Sequence, residues 1–543
     1  MACNRRTLMS FLILAGLASM SHAQTSNSNS QLTADSEGKK IFQREWVFEP
    51  PVAPPQGDLT DKQHAAKLKQ LPGDGLGPMF NATSCEACHA KGGASGIDRN
   101  VTMLTLDARS DMSGQGDPKK AREALDDLFP TILSASGTLS FDVVVHEKST
   151  RPFYDYIRQG LSDHVPGGIP KQWYQSKERT VEAVAEQPVI AGRSGDLDFY
   201  LSQRNSPALF GLGLVDQISR GMLAKLEKSQ AIRTKGEITG RLGIGMFGWR
   251  AQTTTLDGFV RGACAGELGL QLQGTLQPQD VADTTYVSYG TDLNESQVHA
   301  LTRFVRSLPA PVESLSSAHG PDPRKGKRVF KSIGCNICHV EIVRPAKGVY
   351  SDFLLHDMGI LLQAPSPAPM SRLTQQVTLP KFSADNSSLQ QEMFGRRPTA
   401  GYYGSLNPPA PYPLARPAQP RFPRGKLPQS ALKTSFTAEV TWDQLQREWR
   451  TPPLWGVADS APYMHDGRAA TLDAAIRWHG GEASQVTSRY RSLPKDTQQE
   501  LVAFLKSLRS PVHQSVPAKM LATDDSVSQE RLQQMAARVS LFD

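Results

Sequence analysis

The sequence predicts a mainly α-helical protein that runs through one plan twice, with long loop-rich inserts. Three observations predict it. A Cys-x-x-Cys-His motif occurs at residues 85–89 and again at 335–339. Each motif follows a short helical lead-in, and each half of the chain closes on an amphipathic helix. Gly 44 and Pro 38 in 543 residues favour loops over long bundles.

The two motifs carry the chemistry. Two thiols three residues apart sit on one turn and add to the two vinyl groups of a haem. The next side chain then lies under the iron as its proximal imidazole. On this reading Cys85, Cys88, Cys335 and Cys338 are the attachment residues, and His89 and His339 are the proximal ligands. A zinc ribbon needs a second Cys-x-x-Cys for each pair, and neither pair has one. A thioredoxin-type redox pair needs no following histidine. A disulfide across two intervening residues is strained. The expectation is two covalently attached haem c groups, each in a cytochrome c-like domain.

The elements follow in order. Glu37-Gly-Lys-Lys-Ile-Phe42 leads into the first motif, and Arg324-Lys-Gly-Lys-Arg-Val-Phe330 into the second. In both, a glycine and a following phenylalanine pack a helix against the haem domain. Residues Glu295–Leu308 and Thr497–Leu508 carry apolar side chains at helical spacing and end at Ser or Pro, so each closes a half. A weak boundary falls at Pro309–Asp322. The N-terminal domain is expected over 35–310 with a large insert, and the C-terminal domain over 322–510. The stretch 364–430 is Pro-rich and reads as a surface excursion. Residues 511–543 read as a tail. A bare haem carrier needs only about 100 residues per cofactor, the lower part of the range of domain sizes. The long inserts therefore have room to shape a pocket over the iron, which favours an enzyme.

The N-terminus reads as an address. Arg5 and Arg6 precede an apolar run, Leu8–Met20, and Ser21-His-Ala23 offers small residues at a cut. Residues 1–23 are expected to be a signal peptide, and the protein to be periplasmic or otherwise exported. No later segment reaches the ~18 apolar residues of a membrane-spanning helix. The formal charge is +7, spread along the chain with no basic block interleaved with aromatics. That excludes nucleic acid as an expected partner and leaves room for an acidic protein surface.

Further segments carry a resemblance. They are Gly73-Asp-Gly-Leu-Gly-Pro-Met-Phe-Asn-Ala-Thr-Ser-Cys85, Arg204-Asn-Ser-Pro207 with Gly211-Leu-Gly-Leu-Val215, Phe247-Gly-Trp-Arg-Ala251 and Phe353-Leu-Leu-His-Asp-Met-Gly359. Arg450-Thr-Pro-Pro-Leu-Trp-Gly456, Ala461-Pro-Tyr-Met-His-Asp-Gly-Arg468 and Trp478-His-Gly-Gly-Glu-Ala483 complete the set. In combination they resemble the bacterial di-haem c-type oxidoreductases, a family of peroxidase and thiol-oxidoreductase type. Its relatives are the di-haem cytochrome c peroxidases and the MauG-type enzymes. The resemblance covers roughly residues 35–510, and the Pro-rich stretch has no place on the family pattern.

The resemblance implies roles. The C-terminal haem of the peroxidase relatives takes a Met after the Tyr-x-His-Asp-Gly segment, and alignment puts His479 there. This implies His339/His479 coordination, which generally gives a lower potential than His/Met. Met464, His465, His356 and Met358 are competitors for that place. His465 and His356 fit better as groups that hydrogen-bond the haem propionates or the backbone, or as plain structural residues. In the relatives a Glu before Met-Gly moves the peroxide proton. Here Glu267-Leu-Gly269 stands there, so Glu267 is the candidate acid–base. Trp249 falls where the relatives place a Trp between the haems. Gly248 and Phe259 depart from the pattern and put peroxidase rate in doubt. No sixth ligand for the first haem is legible, and His146, His164 and Met246 are loose candidates. Thr451 and Asp98–Asn100 resemble the interdomain calcium site of the peroxidases. Cys264 reads as buried packing.

Three functions follow. The chain is expected to take electrons from a small redox protein, a cytochrome or cupredoxin, at one haem and to act on hydrogen peroxide or another substrate at the other. The alternatives are an electron carrier without catalysis and a MauG-like oxidase of a protein substrate.

Overall fold

The computed structural model describes residues 37–49, 73–106, 123–132, 142–365, 377–380, 437–440 and 446–511, apart from a few loop positions. The expected signal peptide, nearly all of the Pro-rich insert and nearly all of the tail lie outside these residues. Among the described residues, helices outnumber strands, and no helix is long and apolar enough to cross a membrane.

In the first half, α1 (37–43) leads to α2 (Cys85–Cys88), the turn that carries the first motif. After several shorter helices come three longer ones: α3 (Arg220–Arg233), α4 (Leu256–Leu268) and α5 (Glu295–Ser307). In the second half, α6 (Pro323–Ile333) runs into the second motif, and α7 (Leu472–Trp478) and α8 (Lys495–Lys506) end the described core. The local signals are ordinary. Asn294 and Gln297 form a capping box at α5. Asp322 caps α6, Pro323 fills its first turn, and Gly334 ends it at φ +104°, a backbone that favours glycine.

Lead-in and closing helices pack alike in both halves. A Cβ on Gly38 would lie 2.1 Å from the Ala300 carbonyl oxygen, and one on Gly326 would lie 1.8 Å from that of Glu500. Only glycine allows that approach. Four residues on, Phe42 meets Phe304 and Phe330 meets Phe504, each pair with ring centroids 5.2 Å apart. Phe504 is fully buried, so truncating it to Ala should cost about 3–5 kcal/mol.

A second repeat links α4 to α7. Residues 247–253 and 463–469 form the same turn, closed by backbone bridges Phe247–Thr253 and Tyr463–Ala469. Left-handed residues fall at the same two places, Gly248 and Ala251 in one and Met464 and Gly467 in the other. Each turn enters a helix capped by a threonine, Thr255 or Thr471. Each helix carries an i,i+4 ion pair, Asp257–Arg261 at 2.6 Å and Asp473–Arg477 at 2.8 Å.

The first insert departs from the helical expectation. It holds a four-stranded antiparallel sheet built from β1 (Val101–Leu106), β2 (Asp142–Val145), β3 (Val189–Ser194) and β4 (Leu197–Arg204). The order is β2-β1-β4-β3, and Leu104 faces Leu201 across the centre. Leu104, Phe199 and Leu201 are fully buried under Trp173 and Phe129 in a core of their own. Strand β4 ends at Arg204 and so delivers Asn205 to the space between the halves.

Candidate haem sites

The second motif opens a cavity. Gly334 turns the chain out of α6, and the His339 amide donates to the Cys335 carbonyl at 3.0 Å. His339 Nδ1 lies 2.9 Å from the Tyr350 carbonyl oxygen. His479 ends α7, and its Nδ1 lies 2.8 Å from the Ala475 carbonyl oxygen. A carbonyl only accepts, so each Nδ1 carries the proton and each Nε2 keeps its lone pair. Burial pushes His339 down to about 4 and lowers His479 as well, so both imidazoles are neutral. Their ring centroids are 6.3 Å apart. Metal–imidazole bonds of about 2 Å on either side would hold the centroids about 6 Å apart. The spacing and the donors fit one iron.

These side chains line a cavity of about 280 Å³ together with Cys335 and Cys338. Burial holds the Cys335 thiol up at about 12 and raises Cys338. His356 stands behind Cys338 with both ring nitrogens engaged, Nε2 at 2.9 Å from Asp352 and Nδ1 at 2.7 Å from Glu482. Both its ring nitrogens are thus taken up by carboxylates. Despite the desolvation, Asp352 keeps it protonated well above its usual range.

At the first motif, Ser84 caps the turn by accepting the Ala87 amide at 3.2 Å. His89 Nδ1 lies 3.2 Å from the Gly93 carbonyl oxygen, and burial lowers its basicity. This repeats the proximal arrangement of His339. Burial holds Cys88 up at about 12, with the nearby Glu267 charge adding to it. Cys85 is raised chiefly by its hydrogen bond with Cys264, a fully buried thiol packed beside it. Glu267 Oε2 accepts from Asn81 Nδ2 at 2.7 Å. Glu267 therefore sits beside the first motif, held by the loop that leads into it. His146 is tied through Nε2 to the Gly266 carbonyl at 2.9 Å, and His164 faces Asp127 at 3.5 Å.

The repeat between α4 and α7 puts Ala263 at the position of His479 and Trp249 at that of His465. Trp249 donates from its indole to the Asn205 carbonyl at 2.8 Å. It packs with Trp449, Trp478, Met358 and Met464 around Leu362. His465 stacks on Trp449, with centroids 3.7 Å apart and planes 13° apart. Burial, followed by Arg468, Arg204 and Arg250, drives His465 well below its usual range. Trp449 and Arg450 line the same cavity as His339 and His479, and neither is singled out by the sequence. Trp449 lies just before the quoted Arg450-Thr-Pro-Pro segment, and nothing in its spacing distinguishes it from a core tryptophan. Of the expected calcium residues, Asn100 gives its amide to the Asp466 carbonyl and receives Asn205, whereas Thr451 turns to Asp352.

Residues 438–508 match the family model described as "Di-haem oxidoreductase, putative peroxidase". The resemblance to the di-haem oxidoreductases is borne out by this match. The matched segment contains Trp449, Arg450, His465 and His479. No curated protein sequence matches the chain. Among solved structures, it is similar to a Kuenenia stuttgartiensis hydrazine synthase at 16% identity and a TM-score of 0.26, over 72% of this chain and 88% of that one. It is also similar to a MauG-like protein associated with microbial copper homeostasis at 17% identity and a TM-score of 0.18, over 39% of this chain and about half (52%) of that one. Likenesses this loose carry no argument.

Proposed function

We propose that the chain is an exported di-haem c-type oxidoreductase of peroxidase type, with one cytochrome c-like unit over 35–310 and another over 322–510. The observation that carries the reading is the pair His339 and His479, neutral, half-buried and facing each other across a cavity that also exposes Cys335 and Cys338. Cys85, Cys88 and His89 would hold the first haem, and Cys335, Cys338, His339 and His479 the second. Bound there, the haems supply iron that takes up and gives up electrons.

The chain's own residues divide the work. His339 and His479 would together hold the iron of the second haem, which suits electron entry rather than substrate binding at that site. In the first half Ala263, with no donor atom, stands where His479 stands in the second. With no donor there, the first haem would lack a ligand from this position, which favours substrate chemistry at the first site. Glu267, held by Asn81, is the group to carry a proton between the two oxygens of hydrogen peroxide. Trp249, at the seam between the halves, lies on the way from one site to the other. Electrons would come from a small cytochrome or cupredoxin.

A pure electron carrier would need a second axial ligand at the first site, and Ala263 speaks against it. The test is to count haems by pyridine haemochrome and then mix the half-reduced protein with hydrogen peroxide in a stopped-flow cell. Two haems per chain and a peroxide-dependent reoxidation faster than that of free haem support the reading. Two haems with no reaction leave a carrier, and fewer than two overturn the assignment of the motifs.

A further inference from the structure

Arg450 is a buried cation without a carboxylate partner. It is 6% exposed, and among the described residues no carboxylate lies within ion-pair distance of it. Its Nε donates to the Gly248 carbonyl at 2.8 Å and its Nη1 to the Thr451 carbonyl at 3.3 Å. Its Nη2 donates to no described residue. Arg450 also lines the cavity that holds His339 and His479.

The nearest relevant negative charge is already committed. Asp352 accepts from His356 Nε2 at 2.9 Å, Gln230 Nε2 at 2.8 Å and the Leu354 amide at 3.0 Å. It acts on Arg450 only at a distance, and desolvation prevails. A buried guanidinium held only by carbonyls and the Phe353 ring, 5.8 Å away, is costly, and a planar fork of donors is the chemistry that receives a carboxylate. A haem attached at Cys335 and Cys338 would bring two carboxylates, its propionates, into the same cavity.

We propose that Arg450 binds a propionate of the second haem and is its counter-charge. The proposal rests on the di-haem reading. Arg450 is then a positioning residue that fixes the haem plane against His479 and raises the potential of that centre. A positive charge favours ferrous iron, which carries one positive charge fewer than ferric iron. Arg450 binds at the seam, because its Nε also closes on Gly248 of the other half.

The test uses the matured full-length protein and its Arg450→Gln and Arg450→Lys variants. Potentials are read by spectroelectrochemistry at one fixed pH, with and without added chloride. The expected result is a downward shift in the low-spin centre of Arg450→Gln, with the other centre unmoved and no response to chloride. An unshifted potential overturns the proposal. A chloride-dependent potential in the native protein also overturns it, because the anion would then come from solution. If Arg450→Gln fails to mature, Arg450→Lys decides. Lysine keeps the charge but loses the fork, so the propionate bending bands in the resonance Raman spectrum should move, and unmoved bands overturn the proposal. A native protein with no haem at Cys335 and Cys338 would instead sink the di-haem reading, which is a separate failure.

Discussion

Trp249 and His465 hold the same place in two copies of one turn, and each copy is sealed by the other half of the chain. The Trp249 carbonyl accepts the Arg450 amide at 3.0 Å, and the His465 carbonyl accepts the Asn205 amide at 2.8 Å. The exchange is close to reciprocal. It brings both turns to one seam, where Trp449 stacks on His465 and Arg250 lies 4.1 Å over Trp449. The two turns thus meet through matching backbone contacts between the halves.

His479→Gly should convert one low-spin haem to high-spin. The His479 imidazole faces His339, and its Nδ1 bond to Ala475 orients it. Electron paramagnetic resonance would read the change, and added imidazole should restore the original signal. An unchanged spectrum removes His479 from the axial position.

Glu267→Gln should lower peroxide turnover by about 10²–10⁴-fold, the usual worth of a positioned acid–base. The amide keeps the bond with Asn81 available, so both haems should remain attached. Turnover and haem content measured on the same sample separate the two effects. Full turnover with intact haems rejects the role.

Glu448→Gln should destabilise the fold by about 3 kcal/mol, because it strands a half-buried guanidinium. Arg241 Nε lies 2.8 and 3.1 Å from the two Glu448 oxygens, and the side chains are 15% and 9% exposed. Chemical denaturation of the matured protein would show the loss as a lower midpoint. Arg241→Met with Glu448→Leu should recover much of it.

Asp292 gives a pH dependence of definite sign. Burial raises its carboxyl to about 6, against the lowering effect of bonds from the Gln271 and Gly75 amides. The folded state therefore holds this proton more tightly than the unfolded one. The contribution is full below pH 4 and is lost as pH rises from about 4 to about 6. In that window Asp292 opposes the buried histidines, whose lowered basicity makes stability rise with pH, so Asp292→Asn should make the denaturation midpoint climb more steeply with pH. An identical slope in the variant would reject Asp292 as the source.

The parts of the fold set by short-range pattern were legible in the sequence. Gly38 and Gly326, each four residues before a phenylalanine, marked the lead-in helices, and apolar spacing marked α5 and α8. The motif histidines were equally plain. The sheet was not, because Val101–Leu106 is buried at every position and lacks the alternation that separates strand from core helix. His479 was reached through its relatives, since no spacing in the chain joins it to His339. Arg450 was passed over because its meaning lies in what fails to contact it, and a string of letters does not record missing partners. Ala263 stood out only once the two turns could be superimposed.

The sealing of each turn by the opposite half bears on how such a chain could arise. A single ancestral unit would have left Asn205-type and Arg450-type amides facing solvent, unless two copies met as a dimer. Joining such copies end to end would free each to change without its twin. On the proposed reading, an imidazole in one copy and a methyl group in the other would be one of the differences that give the two sites unequal work.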